Sequence, residues 1–336
     1  MDGLRIAEDL VAHPYSIPLV TRFRGITVRE GAILAGRAGF GEFSPFWDYG
    51  DREAVAWLRA AVEAATLGFP PALRTEIAVN ATVPAVGPDV AAAIVRESGG
   101  CRSVKVKVAD QGDTLGVECD RVAAVRDVLG PGGTIRVDAN GAWDPDTAVG
   151  RLDALDRAAG GLEYAEQPCS AIDDLAEVRR RSKVPIAADE SIRRSVDPLA
   201  VVRHRAADVA VLKVQPLGGV RVCLELAERL AMPVVVSSAL ETSVGLAAGL
   251  ALAAALPEPP LACGLATGQL LSADVTSRPF RPRRGVIRLD GPVPDRLAAV
   301  AADADRRAAW SCRLRDVARL ADLTASPCPP GGSDPR

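Results

Sequence analysis

Histidine is scarce in this chain. His13 and His204 are the only two in 336 residues, which leaves little room for imidazole acid–base chemistry or a histidine-held metal. His204 stands in Val202-Arg203-His204-Arg205, ahead of an apolar run, and reads as a surface residue. The seven cysteines are odd in number and include no CxxC pair. Neither a disulfide framework nor a zinc site is indicated, and reduced thiols in the cytoplasm are expected. The opening residues, Met1 to Asp9, lack the basic and apolar regions of a secretory signal. The longest apolar stretch, Val244 to Leu256, is too short to cross a bilayer and is rich in Ala and Gly, so it reads as a packed helix. A net charge of −3 favours neither nucleic acid nor an anionic membrane as partner.

What the chain does have is a hydrophobic content of 48% over a length that suits a barrel folded as one large core. It also has a repeated pattern of short apolar runs that each end in charge. These are Ser103 to Val108, Thr134 to Asn140, Leu162 to Pro168, Val184 to Ser191 and Asp208 to Gln215. The steps from Lys107 to Asp138, Glu166, Asp189 and Lys213 are 31, 28, 23 and 24 residues, close to one strand plus one helix. Five successive strands therefore carry Lys, Asp, Glu, Asp and Lys to one rim, and the catalytic face of a βα barrel is built from such strand ends. Three carboxylates between two lysines suit an oxygen-loving divalent cation such as Mg²⁺.

Residues from about 15 to 95 differ in texture from the rest. Gly25 to Gly36 and Gly39 to Phe46 read as an antiparallel hairpin and its continuation, followed by a helix from Asp51 to Thr66. The expected organisation is a small N-terminal α+β capping domain over 1–90, completed by a C-terminal segment of about 280–320, and a barrel over 91–279. Amphipathic helices are expected over Asp120 to Leu129 and Gly218 to Leu230, and two further strands over Pro233 to Ser238 and Leu261 to Leu265. Gly285 to Asp290 is a late strand expected to rejoin the N-terminal domain. The Pro-, Gly- and Ser-rich residues 325–336 read as a disordered tail.

Side chains alternate along a strand, so Lys105 and Lys107 share a face, as do Arg136, Asp138 and Asn140. Lys107 and Asp138 are outermost. Lys105 and Arg136 lie one layer deeper, either as ion pairs beneath the acids or in contact with substrate.

The set Lys-x-Lys, Asp-x-Asn, Glu-Gln-Pro, Asp-Glu-Ser and Lys-x-x-Pro resembles the enolase superfamily, in its muconate-lactonizing group. Arg22 to Gly25, Gly41 to Phe46, Ser237 to Gly245 and Ala262 to Gly268 resemble the o-succinylbenzoate synthases of that group, of the actinobacterial kind. The resemblance implies an α+β cap on a modified (β/α)₇β barrel, and proton removal next to a carboxylate with Mg²⁺ holding the resulting enediolate, a superfamily pattern that serves as a general example of lysine or histidine bases working with Mg²⁺. It implies that Asp138, Glu166 and Asp189 bind Mg²⁺, that Lys107 is the base and that Lys213 faces it across a small carboxylate substrate. Asn140 and Glu190 match the neighbours of the ligands. Ser237, Ser238 and Gly264 would receive the succinyl arm, and Arg22 and Arg24 sit in the presumed capping loop, as substrate contacts or as solvated charges. Phe46, Trp47 and Tyr49 read as interdomain core, with a lid as the alternative. A lysine used as base near neutral pH needs cationic company, because a second positive charge about 5 Å away shifts the balance by about 3 kcal/mol. Lys105, Lys213 and the metal are expected to supply it.

Two alternatives stand beside this reading. A racemase of N-acylamino acids or a dipeptide epimerase also uses two opposed lysines, although Ser237 to Leu240 replaces the Asp-x-Asp with which such epimerases grip a substrate ammonium. A non-catalytic binding barrel is the alternative of another class.

Overall fold

The computed structural model describes residues 4–7 and 10–322, so the tail expected over 325–336 lies outside the described residues. Four strands, β1 (Leu4–Ala7), β2 (Leu10–Phe23), β3 (Ile26–Gly36) and β4 (Gly39–Phe43), form an antiparallel sheet in chain order. The helix α1 (Asp51–Thr66) lies against it. Close approach is possible because β4 carries Gly41, where a Cβ would stand 2.0 Å from the carbonyl oxygen of Ala61.

The chain then enters a regular alternation. The strands β5 (Glu76–Ala78) and β6 (Asn80–Val83) lead to α2 (Pro88–Arg96), and β7 (Ser103–Lys107) to α3 (Leu115–Leu129). Next come β8 (Thr134–Asp138), α4 (Pro145–Ala159), β9 (Tyr164–Glu166), α5 (Ile172–Arg181) and β10 (Ile186–Ala188). Two short helices, α6 (Glu190–Arg193) and α7 (Ala200–Arg203), precede β11 (Val209–Lys213). Then follow α8 (Val214–Leu217), α9 (Val220–Leu230), β12 (Val234–Ser237) and α10 (Ser243–Ala255). After β13 (Val286–Arg288), the last described helix is α11 (Ala304–Leu320).

Strands β6 to β12 form one parallel sheet of seven in sequence order. They are short, Val- and Ala-rich and buried on both faces, as expected of strands covered by crossover helices. Helix starts are fixed locally. Asp144 accepts from Thr147 N at 2.9 Å, with Pro145 in the first turn of α4, and Asp303 accepts from Arg306 N at 2.8 Å at the head of α11.

Four details differ from the sequence expectation. The parallel sheet begins at Asn80, ahead of a boundary at 91, because Asn80 to Val83 pairs in register with Ser103 to Val106. Helix α3 starts at Leu115 rather than Asp120. Its first turns hide the buried acid Glu118, which accepts from Ala109 N at 2.5 Å, and this breaks the amphipathic pattern. The late strand β13 pairs antiparallel with β5, not with the four-stranded sheet. Residues 261–265 form no strand of their own. Cys263 and Gly264 make single parallel bridges to Val79 and Ser237, and so connect the two edge strands of the seven-stranded sheet.

The C-terminal segment returns to the N-terminal sheet. Ser16 N donates to Val300 O at 2.9 Å. Helix α11 packs on α1 and β2 and buries Trp310 against Phe43 in a core separate from that of the parallel sheet.

Candidate active site

Strand length sets the site. Lys107, Asp138, Glu166 and Lys213 are the last residues of β7, β8, β9 and β11, and Asp189 follows β10 by one residue. Lys107 pairs with Asp138, and Asp138 with Glu166, in the strand register. All five charges therefore reach one end of the sheet, where a cleft of about 600 Å³ opens.

Lys107, Lys213, Lys105, Asp138, Asn140, Ser237, Ser238, Arg22 and Arg24 all line this cleft. Glu166 and Asp189 lie just beneath it, fully buried. Lys105 Nζ donates to both oxygens of Glu166, at 3.0 and 2.8 Å, and stands 3.3 Å from Asp138. Lys107 Nζ donates to Asp138 Oδ2 at 2.5 Å and Asn140 Oδ1 at 2.6 Å. Lys213 Nζ donates to Asp189 Oδ2 at 2.6 Å, and Arg193 Nε to Asp189 Oδ1 at 2.8 Å.

The electrostatics follow from this alternation of sign. Burial would raise the Asp138 carboxyl, but Lys107 and Lys105 hold it well below the usual carboxylate range. Burial acts likewise on Asp189, where Arg193 and Lys213 win. Glu166 is pushed up to about 7 by burial and by the charge of Asp138. Burial alone would lower the Lys105 ammonium, and Glu166 and Asp138 raise it above its ordinary value.

Asp138, Glu166 and Asp189 stand at neighbouring strand ends, on β8 and β9 and just past β10. Lys105, Lys107, Lys213 and Arg193 balance these acids. The donor set still suits a hard dication. It is all oxygen, it comes from neighbouring strand ends, and one cation, the Lys105 ammonium, already touches Asp138 and Glu166 together.

Other candidates lie away from the cleft. Arg136 is fully buried and pairs with Glu163, Asn80 Oδ1 (3.2 Å) and Ala262 O (2.6 Å). It ties β8 to the junction between the edge strands, and of its two readings the structure supports the ion pair. Exchanging it for methionine strands those partners and is expected to cost about 3 kcal/mol, read as a lower urea midpoint with activity per folded molecule nearly kept. Glu190 binds Arg193 (2.5 Å) and Asn140 Nδ2 (3.2 Å) rather than facing the cavity. Gly264 does not line the cleft either. A Cβ there would meet Ser237 Oγ at 2.5 Å, so the glycine lets its segment lie against β12. Trp47 is 49% exposed, unlike the buried Phe46 and Tyr49, and stacks on Trp310 instead of joining an interdomain core.

Arg193, Phe23, Thr82 and Thr267 also line or support the cleft. Arg193 had a visible signal, since it stands four residues after Asp189 at a helix start, where i and i+4 side chains meet. Thr21 to Gly25, the end of β2 and the turn after it, line the cavity, and the Arg24 guanidinium sits 4.3 Å over the Phe46 ring.

Comparisons with known proteins agree with this architecture. Residues 89–296 match the family model described as enolase C-terminal domain-like, and residues 14–65 the enolase N-terminal domain-like model. The chain is 60% identical over 307 residues to an o-succinylbenzoate synthase of Thermobifida fusca, covering 91% of this chain and 95% of the relative. It is 51% identical to one of Mycobacterium marinum, covering 90% and 92%. The muconate lactonizing enzyme of Pseudomonas putida shares the fold at a TM-score of 0.73 and 20% identity, covering 89% of this chain and 100% of that one. The L-Ala-D/L-Glu epimerase of Bacillus subtilis shares it at 0.72 and 22%, covering 87% and 97%. Strand-end chemistry, cap, cleft and relatives together place the chain in the enolase superfamily, and within it the chain belongs to the family of the o-succinylbenzoate synthases.

Proposed function

We propose that this chain dehydrates 2-succinyl-6-hydroxy-2,4-cyclohexadiene-1-carboxylate to 2-succinylbenzoate, a step of menaquinone biosynthesis, with Mg²⁺ as cofactor. The observation that carries this reading is the pair Lys107 and Lys213, which open onto one cleft from strand ends on either side of the buried acids.

Lys107, as the neutral amine, takes the proton from the ring carbon that bears the carboxylate. The electron pair of that C–H bond becomes a ring double bond as the neighbouring C–O bond breaks. The proton on Lys107 then joins the departing hydroxide, and the products are one water and the aromatic ring. Lys213 stabilises the negative charge by its own charge and attracts the ring face. Asp138, Glu166 and Asp189 would hold the Mg²⁺, which supplies a positive centre for the substrate carboxylate. Arg22 and Arg24, over the cleft, favour an anionic substrate, while Ser237 and Ser238 supply neutral hydrogen-bonding groups for the second arm.

A (β/α)₇β barrel is the reading of this sheet, and the single bridges of Cys263 and Gly264 support its closure. The capping unit would then comprise the four-stranded sheet, α1 and α11, and the barrel would begin near Glu76. A cytoplasmic location accords with this chemistry, and among the described residues no helix is long and apolar enough to cross a membrane. Nothing in the site calls for a nucleic-acid or membrane partner.

Two lysines opening onto the same cleft also favour a second reading, racemisation of an N-acylamino acid. The test is turnover by the purified protein with Mg²⁺. Loss of the cyclohexadiene absorbance at an ordinary enzymatic rate, on the order of 10 per second, is expected. Racemisation without dehydration would overturn the proposal in favour of the second reading.

A further inference from the structure

One wall of the cleft is the end of β12 with the loop that follows it, contributing Ser237 to Leu240. Its main chain takes a costly turn, since Leu240 has φ +64°, in the left-handed region that branched residues seldom enter. Two side chains of the N-terminal sheet reach across to it, and both are only 2% exposed. Arg29 on β3 donates Nε to Leu240 O at 2.8 Å and one terminal nitrogen to Ala239 O at 3.2 Å. The same guanidinium is tied to its own sheet through Ser44 Oγ at 2.8 Å and Glu30 O at 3.0 Å. Glu42 on β4 takes the other end of the loop. It accepts from Thr242 Oγ1 at 2.5 Å, Thr242 N at 3.1 Å and Gly245 N at 3.0 Å. Tyr15 and Ser44 hydroxyls fix it at 2.7 and 2.8 Å.

The loop carbonyls thus meet a buried cation and the amides that follow meet a buried anion. Every Arg29 bond to the loop goes to backbone, so the contact fixes the loop's shape rather than recognising its side chains. Neither Arg29 nor Glu42 lines the cleft.

We propose that Arg29 is a positioning residue for substrate binding, holding the Ala239–Leu240 backbone in the shape that receives the substrate's succinyl arm, with Glu42 anchoring the loop's far end. This rests on the reading of the cleft as the dehydration site. A planar fork reaching two adjacent carbonyls is something a lysine cannot reproduce.

The experiment compares wild type with Arg29→Met and Arg29→Lys. For Arg29→Met, KM is expected to rise about tenfold, the scale of one or two lost hydrogen bonds to a charged group, while kcat changes less than about threefold, since the lysines are untouched. Inhibition by o-succinylbenzoate weakens in parallel and inhibition by benzoate, which lacks the arm, does not. Amide hydrogen exchange quickens at 239–246. Arg29→Lys lies between wild type and Arg29→Met, and it takes over every comparison if the methionine variant does not fold. A folded variant with wild-type KM and unchanged loop exchange overturns the proposal, as does equal weakening for benzoate, which would mean general damage to the cleft. If wild type itself does not turn over the cyclohexadiene carboxylate, the functional reading fails, while the exchange data still decide whether Arg29 holds the loop.

Discussion

Lys107→Met is expected to lower kcat about 10⁴-fold, the upper range for removal of a general acid–base group, with KM changed only a few-fold. Methionine keeps the length and the apolar stem, so the strand and its pairing to β8 survive. What is lost, on the proposed mechanism, is the group that would both take the ring proton and return it to the leaving hydroxyl. Because both transfers are assigned to the same amine, no second residue is expected to take over half of the work. Lys105 does not substitute, since its ammonium is held by Glu166 and Asp138. Steady-state kinetics beside circular dichroism decide the matter. A folded variant with kcat within tenfold of wild type would move the base elsewhere, with Lys213 as the first candidate.

Removal of divalent cations is expected to abolish turnover, by at least about 10³-fold, the scale of the several kcal/mol a Lewis-acidic metal supplies, with full recovery on adding Mg²⁺. The argument comes from the ion pairs. Lys107 Nζ donates to Asp138 at 2.5 Å and to Asn140 at 2.6 Å, and an ammonium so engaged has no lone pair for a substrate proton. On the proposed reading, a dication held by Asp138, Glu166 and Asp189 would compete with Lys107 for the Asp138 carboxylate. Chelation followed by titration with Mg²⁺ measures the effect, and full activity in thoroughly chelated protein would remove the metal from the proposal.

Much of this was legible because β-structure is strict about phase. Each of the five charged residues sits at or just past a strand end, and neighbouring strands are in register, so their spacing in the chain translated directly into position on the rim. The hairpin of β3 and β4 and the bounds of α1 were legible for the same reason, strong alternation or strong helical period between clear breakers. What escaped were contacts set by tertiary packing. Arg136 and Lys105 occupy equivalent places on neighbouring strands, yet one ties the sheet together while the other sits among the acids, and only the positions of Glu163, Asn80 and Glu166 separate them. Arg29 lies within a plain strand and nothing local shows that it reaches a loop more than two hundred residues away. The buried Glu118 disguised a helix start. The balance between acids and lysines was also hidden, because sequence shows which charges share a rim and not which of them touch.

The return of the last described helix to the first sheet has a consequence for biosynthesis. Arg306 reaches Glu30 across 276 residues, and Arg313 donates to the carbonyls of Phe46 and Tyr49. On the ribosome, the N-terminal sheet and α1 must therefore wait, with the face that receives Trp310 uncovered, until nearly the whole polypeptide has emerged. The parallel sheet can assemble meanwhile, so the nascent chain matures from its middle outward, and the catalytic mouth gains its roof last.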